Sequence, residues 1–129
     1  MRKYLFLLLA LVLMGCPALT ISTVSVAGIT ITPGTPSDGS TFVSGAWEPN
    51  SGTATLQLNA AISPSDATNK SVTWSSNFIS GQPGQMSVNN SGLVTINDTS
   101  GVFEETITAT ADDGSGQTAT FTVNGTNFG

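Results

Sequence analysis

The stretch TATLQLNAAI, residues 53–62, decides the fold class of this chain. Its apolar residues recur at every second position from Leu56 to Ile62, and Thr55, Gln57 and Asn59 alternate with them. Successive side chains of a strand point to opposite faces of a sheet, so this alternation predicts a strand with one buried face. One-sided burial of this kind is typical of antiparallel sheets.

Similar patterns occur on both sides of this strand and predict an all-β fold. The other predicted strands are residues 24–31 with a bulge at Gly28, 70–76, 86–88, 93–96, 102–111 and 117–123. Segments rich in Gly, Pro, Asn and Ser separate them, and these residues favour turns. About seven short strands at this spacing predict a β-sandwich.

The N-terminal residues form a separate unit that does not belong to this sandwich. Met1-Arg2-Lys3 is a short basic start, and residues 4–14 are apolar and uncharged. A transmembrane helix needs about 20 apolar residues, so this run is too short to span a bilayer. Residues 1–15 are instead typical of a secretory signal peptide.

The end of this segment carries a short motif, Leu13-Met14-Gly15-Cys16. It resembles the lipobox of bacterial lipoproteins, in which an aliphatic residue lies three before the cysteine and a small residue lies directly before it. The resemblance implies that Cys16 becomes the mature N-terminus and carries acyl chains. The alternative is an ordinary signal peptide that is cut near a cysteine. We therefore predict a signal peptide over 1–15, a lipidated tether over 16–23 and a sandwich domain over 24–129.

The charge and composition of the mature part exclude several functions. Residues 16–129 contain one basic residue, Lys70, against eight acidic residues, which is a net charge of −7. An acidic surface repels phosphate backbones, so we expect no nucleic-acid partner. The chain has no His, and its single cysteine is the lipidation site, so the usual nucleophile–base pairs are missing. We predict neither an enzyme nor a cofactor.

The acidic residues offer no stronger chemistry. Glu104 and Glu105 are adjacent on a strand and point to opposite faces, so they cannot converge on one glycosidic bond. Glu105 lies in the apolar register, and we expect it at a strand end, where its carboxylate reaches water. Asp112 and Asp113 are weak candidates for a metal site, because two carboxylates in a turn supply too few ligands for Ca²⁺. A solvated turn is the preferred interpretation.

Residues 33–52 form the longest segment without strand patterning, apart from a short strand at 41–43. Long loops in compact domains are usually functional, so Phe42, Trp47 and Glu48 are a candidate binding loop for a protein or carbohydrate partner. Alternatively, the two aromatic residues fold back over an open edge of the sandwich. Trp47 is expected to contribute far less to stability than the core residue Trp74.

Several stretches are similar to the bacterial immunoglobulin-like group 2 domain. They are LQLNA (56–60), ISPSDATNKSVTWSS (62–76), GLV (92–94) and ITATA (107–111). The resemblance covers about residues 24–124 and implies an immunoglobulin-like sandwich in which Trp74 fills the core without a disulfide. We expect Leu58, Ile107 and Phe121 to pack in the same core. The chain departs from the family at 33–52 and 78–86, which are longer, and at 102–105.

Together these features predict a non-catalytic, lipid-anchored protein of the bacterial envelope, most naturally at the outer membrane or cell surface. The resemblance implies adhesion or a role as a structural spacer. Two alternatives remain open. One is a subunit of a larger envelope assembly or of a polymer formed by strand pairing, and the other is a carbohydrate-binding module that uses Trp47.

Overall fold

The computed structural model of the chain describes Gly15, residues 17–97 and residues 101–126. Every regular element in these ranges is a strand. The strands are β1 (Gly28–Pro33), β2 (Thr41–Val43), β3 (Ala46–Glu48), β4 (Thr55–Ser63), β5 (Val72–Gly81), β6 (Met86–Val88), β7 (Leu93–Ile96), β8 (Phe103–Ala111) and β9 (Thr118–Gly125). The described part of the chain has no helix long and apolar enough to cross a membrane.

The strands form two sheets packed as a sandwich. One sheet has the order β1-β4-β7-β6 and the other has the order β2-β3-β9-β8-β5. Taken in chain order, β1, β4, β7 and β6 correspond to the ABED sheet of an immunoglobulin domain, and β5, β8 and β9 correspond to its CFG sheet. The described pairs are antiparallel except for β3 with β9. The immunoglobulin-like β-sandwich predicted from the sequence is confirmed.

The core lies between the two sheets and is almost entirely apolar. The alternation seen in the sequence places the apolar registers of β4, β7, β8 and β9 inward. The predicted core residues Leu58, Trp74, Ile107 and Phe121 are all buried there. A smaller cluster of Val26, Ala67 and Ala111 closes one end of the sandwich.

A tight turn fixes the register of β6 and β7 over the Trp74 ring. The Asn89 side chain accepts hydrogen bonds from the backbone N–H groups of Ser91 and Leu93 at 3.0 and 2.9 Å. Gly92 follows with φ +80°, and a Cβ there would lie 2.7 Å from the Leu58 carbonyl oxygen and 2.9 Å from the Trp74 ring. Only glycine fits this conformation and this gap without displacing the core tryptophan.

The segment 33–52 differs from the predicted loop. It contains β2 and β3, which form a hairpin through Ser44 and Gly45, both with positive φ. Two-residue turns with positive φ at both positions match the twist of paired strands. Trp47 of β3 then pairs with Val123, which attaches the hairpin to β9 in parallel. In the described residues, β2 corresponds to the short strand predicted at 41–43, and β3 is a further strand that the sequence pattern did not predict.

Glu105 also differs from its predicted position. It lies within β8, between Phe78 of β5 and Val123 of β9, and it is only 4% exposed. The expectation that its carboxylate reaches water at a strand end is wrong, because both neighbouring strands extend past it. Burial raises the pKa of Glu105 above its ordinary value.

Candidate functional site

The folded domain begins at Val24, at one end of the sandwich. Val24 donates its N–H to the Thr68 hydroxyl at 2.8 Å, and Thr68 donates its N–H to the Val24 carbonyl at 2.9 Å. Residues 17–23 are exposed and lie in no strand. We call this end, which also contains the loops 64–71 and 112–117, the tether pole. The opposite end, with the connection from β5 to β6 and the first residues of β8, is the far pole.

The predicted lipidation residue Cys16 and residues 1–14 lie outside the described residues. The structure describes the chain continuously from Pro17 to Asn97. Signal peptide cleavage and acylation at Cys16 therefore stay predictions that rest on the motif in the sequence.

A cleft of about 290 Å³ opens at the tether pole. It is lined by Thr23, Val24, Ser25, Thr68, Asn69, Asp112 and Asp113. The two carboxylates of this cleft are the weak metal candidates named above. Asp112 accepts a hydrogen bond from the Thr73 hydroxyl at 2.7 Å, and Asp113 accepts one from the Val26 N–H at 2.6 Å.

These hydrogen bonds indicate a structural role for both carboxylates. Asp113 also accepts from the Ser115 N–H at 2.9 Å. Hydrogen bonds from Ser115 and from the Val26 N–H hold the pKa of Asp113 below its ordinary value. In the part of the chain that the structure describes, no group of three or more His, Cys, Asp or Glu residues is placed to hold a metal ion. Asp113 therefore fastens the first residues of the domain to the turn between β8 and β9, and Asp112 fastens that turn to β5.

The candidate binding residues lie on the β2–β3 hairpin, where Phe42 is 38% exposed. Trp47 is 0% exposed and lies in the centre of the core. Phe42 is opposite Trp47 in the hairpin and packs its ring edge-on against Phe121, with ring centroids 6.3 Å apart. Glu48 is half-buried at the end of β3. Trp47 is therefore buried away from any ligand, whereas Phe42 stays exposed, and a binding role for this segment stays a prediction.

A buried polar network holds Trp47 in place. Its indole N–H donates to the Ser40 hydroxyl at 2.7 Å, and Ser40 donates to the Asp38 carboxylate at 2.5 Å. Asp38 also accepts from the N–H groups of Ser40 and Asn50. Burial alone would raise the pKa of Asp38, but these hydrogen bonds outweigh it and lower the pKa. Sequence reasoning missed the network, although Asp38-Gly39-Ser40 is a typical local turn motif for an aspartate side chain.

Exposed apolar side chains mark a different surface, at the far-pole end of β5. Phe78 and Ile79 of β5 are 39% and 49% exposed, and Val102 at the start of β8 is 64% exposed. The Gln82 N–H donates to the Val102 carbonyl, which holds this residue beside the end of β5. The sequence pattern did not mark this surface, because Phe78 and Ile79 lie beyond the predicted strand 70–76.

No protein-family model matches the chain, and no curated protein is significantly similar to it. Among solved structures, it is similar to the crystal structure of an intimin mutant from EHEC O157:H7. The similarity has 19% identity and a TM-score of 0.43, and it covers 75% of this chain and 46% of the intimin chain. The chain thus spans less than half the length of that intimin chain.

Proposed function

We propose that this protein is a non-catalytic, lipid-anchored module of the bacterial envelope or cell surface that presents its sandwich for adhesion. The observation that carries the proposal is the exposed segment 17–23, which joins the lipobox cysteine to a domain that begins at Val24. A segment with this composition and exposure suits a tether. The similarity of residues 62–76 to bacterial immunoglobulin-like group 2 domains supports adhesion, with a spacer role as the second candidate.

The tether determines which end of the sandwich faces the membrane. Seven extended residues reach about 25 Å at most. The tether pole therefore stays near the bilayer, and the far pole with Phe78 and Val102 points away from it. The mature net charge of −7 gives no electrostatic attraction to an anionic surface, so anchoring depends on the acyl chains. These contribute about 0.8 kcal/mol per buried CH₂, and two or three chains hold a small domain firmly.

The described polar side chains support a binding or spacer role rather than a reaction. The carboxylates of Asp38, Asp112 and Asp113 accept hydrogen bonds that fasten loops or core residues. Recognition would therefore use the shape of the sandwich and the apolar residues near the far pole.

Anchoring is tested by Cys16→Ser in the full-length precursor. We expect the variant to be released from membranes or to stay unprocessed, whereas Thr23→Ser in the tether behaves as the wild type. Membrane fractionation and intact mass measure both properties. A Cys16→Ser protein that stays with the membrane at an unchanged mature mass contradicts lipid anchoring.

The adhesion role is tested on intact cells with a photoreactive amino acid at Val102, and with the same group at Leu19 in the tether as the control. We expect a crosslinked partner from the far-pole position and none from the tether position. Absence of any crosslink at Val102 contradicts adhesion through the far pole and favours the spacer role.

A further inference from the structure

The four edges of the two sheets are not equally protected. β2 and β6 have three residues each, and β1 is a six-residue strand that begins at Gly28 and ends at Pro33. Short strands and prolines are the usual ways in which proteins prevent an edge from pairing with another chain. β5 is also an edge strand, but it has ten residues with neither charge nor proline. Its residues from Ser75 to Gly81 are exposed.

The hydrogen-bonding groups on the outer side of β5 can be assigned from the ladder with β8. The Asp112 N–H donates to the Ser71 carbonyl at 3.0 Å, and the register pairs Thr73 with Thr110. Hydrogen-bonded and non-hydrogen-bonded pairs alternate in an antiparallel ladder. Thr73, Ser75 and Asn77 therefore direct their backbone groups at β8. The backbone groups that point away from the sheet belong to Val72, Trp74, Ser76 and Phe78.

We propose that the outer edge of β5 pairs antiparallel with β5 of a second copy of this protein, about a two-fold axis at Ser75. In this register Val72 faces Phe78 of the other copy, and Trp74 faces Ser76. Each copy donates four N–H groups and accepts at four carbonyls, so two five-stranded sheets become one continuous sheet. Strand addition at an exposed edge is an established mode of protein recognition.

The side chains favour this register. Phe78 is 39% exposed on the core-side face of β5, and half-buried Val72 of the second copy covers it. On the outer face, Ser75 faces Ser75 and Thr73 faces Asn77, which are uncharged pairs that can form hydrogen bonds. A shift by two residues would place Phe78 opposite Trp74, whose ring is already buried in its own core.

The charges favour an antiparallel over a parallel arrangement. Exposed Lys70, the only basic residue of the mature chain, lies two residues before β5. Ser80 at the other end of β5 pairs with exposed Glu104 of β8. Antiparallel pairing brings Lys70 of each copy to the Glu104 end of the other, whereas parallel pairing would bring the two lysines together. β5 itself carries no acidic residue, so no carboxylate repulsion arises within the contact.

The arrangement has a consequence for adhesion, which rests on the proposed lipid anchoring. β5 is about 34 Å long at 3.4 Å per residue. The two tethers leave an antiparallel pair at opposite ends, and each reaches only about 25 Å. Two copies that stand upright on one membrane cannot both remain anchored in this pair, whereas copies on two facing membranes can. The surface therefore suits homophilic contact between two cells or two membrane surfaces.

Disulfide trapping tests the pairing in the mature chain with Cys16→Ser, which needs no lipid. Across the axis, Ser75 would be a non-hydrogen-bonded pair with Cα atoms about 4.5 Å apart, within disulfide range. We expect Ser75→Cys to form a reducible dimer under mild oxidation. Thr73→Cys is the matched control on the same face, because its two Cα atoms would be about 14 Å apart. Absence of a Ser75→Cys dimer, or equal dimer from both variants, overturns the proposal.

A charge variant provides a second test that leaves the fold intact. Ser75→Asp places two carboxylates directly opposite each other, and Thr120→Asp adds the same charge in the same row of the outer face, on β9. Sedimentation of the Cys16→Ser chain at increasing concentration should show a dimer for the parent and for Thr120→Asp, and its loss for Ser75→Asp. Equal association of the two aspartate variants overturns the proposed edge.

Vesicle bridging separates this proposal from anchoring. The mature chain is coupled through the Cys16 thiol to maleimide lipids in neutral phosphatidylcholine vesicles, so bridging does not depend on acylation in the cell. We expect vesicle aggregation by light scattering with the parent and with Thr120→Asp, and none with Ser75→Asp. Aggregation unaffected by Ser75→Asp overturns the pairing, whereas a failed Cys16→Ser fractionation experiment overturns only the natural anchor.

Discussion

Replacing Trp47 by alanine removes the largest fully buried side chain in the described part of the chain. A buried aromatic residue covers about 150–250 Å². At about 25 cal/mol per Å² this corresponds to about 4–6 kcal/mol of transfer free energy. Measured substitutions of buried tryptophan by alanine cost about 3–5 kcal/mol. Since small domains are stable by about 5–15 kcal/mol, we expect Trp47→Ala to lose a large part of the stability.

Urea denaturation followed by circular dichroism measures this loss without relying on tryptophan fluorescence. Trp74→Ala is the matched control, because Trp74 is 9% exposed and lies in the same core. We expect similar losses from the two variants. Trp47→Phe keeps an aromatic ring but removes the hydrogen bond to Ser40, and it should cost about 1–3 kcal/mol. A loss below about 1 kcal/mol for Trp47→Ala, with more than about 3 kcal/mol for Trp74→Ala, would refute the reasoning and place Trp47 on the surface.

Three further predictions use the same denaturation assay. Gly114→Ala should lower the free energy of unfolding by about 1–2 kcal/mol, because Gly114 has a positive φ. Gly92→Ala should lower it more, because its methyl group also displaces the Trp74 ring. Equal losses from the two variants would contradict the packing around Gly92. Burial raises the folded-state pKa of Glu105, so the contribution of this residue to the free energy of unfolding is favourable below pH 4.5 and is lost as the pH rises through the folded-state pKa. Glu105→Gln should therefore stabilise the protein at pH 7 and much less at pH 4. The folded-state pKa of Asp38 is lowered, so Asp38→Asn should destabilise the protein above pH 3.8. The difference in free energy of unfolding between the variant and the parent should shrink as the pH falls through the folded-state pKa. A difference that stays constant with pH would contradict an ionised Asp38 in the network.

The short strand predicted at 41–43 corresponds to β2, and alternation located seven more of the nine described strands. Each of these strands presents one face to the core, so Leu58 on β4 and Ile107 on β8 could be assigned to the core from their register alone. β3 was not found in this way, because it lies in a segment rich in Gly, Pro and Ser that shows no strand patterning around it. Its place in the sheet depends on Val123, which is 76 positions away from Trp47 and contributes a single parallel pair.

The buried state of Glu105 shows a second limit of sequence reasoning. Its apolar register was visible, but the choice between burial and a solvated strand end depends on how far β5 and β9 extend beside β8. Residue spacing within β8 carries no information about the length of its neighbours. The same limit applies to Phe78 and Ile79, which are exposed near the end of the edge strand β5.

The candidate sites also fall into those that a local motif predicts and those that depend on the fold. The motif Leu13-Met14-Gly15-Cys16 is local in the sequence, so predicting a lipobox there needs no fold, and the lipobox stays a prediction. Phe42, Trp47 and Glu48 looked alike as members of one polar segment, but the hairpin turns Trp47 into the core and leaves Glu48 half-buried.

Properties that depend on neighbours along the chain were therefore readable before folding: the strand class, the apolar register and the turns. Properties that depend on distant segments meeting in space were decided by the tertiary structure: the core position of Trp47, the burial of Glu105 and the unprotected edge of β5. The physical reason is that local patterns report backbone preference and one-sided hydrophobicity, whereas burial and edge exposure depend on which strands lie next to each other and where each one ends.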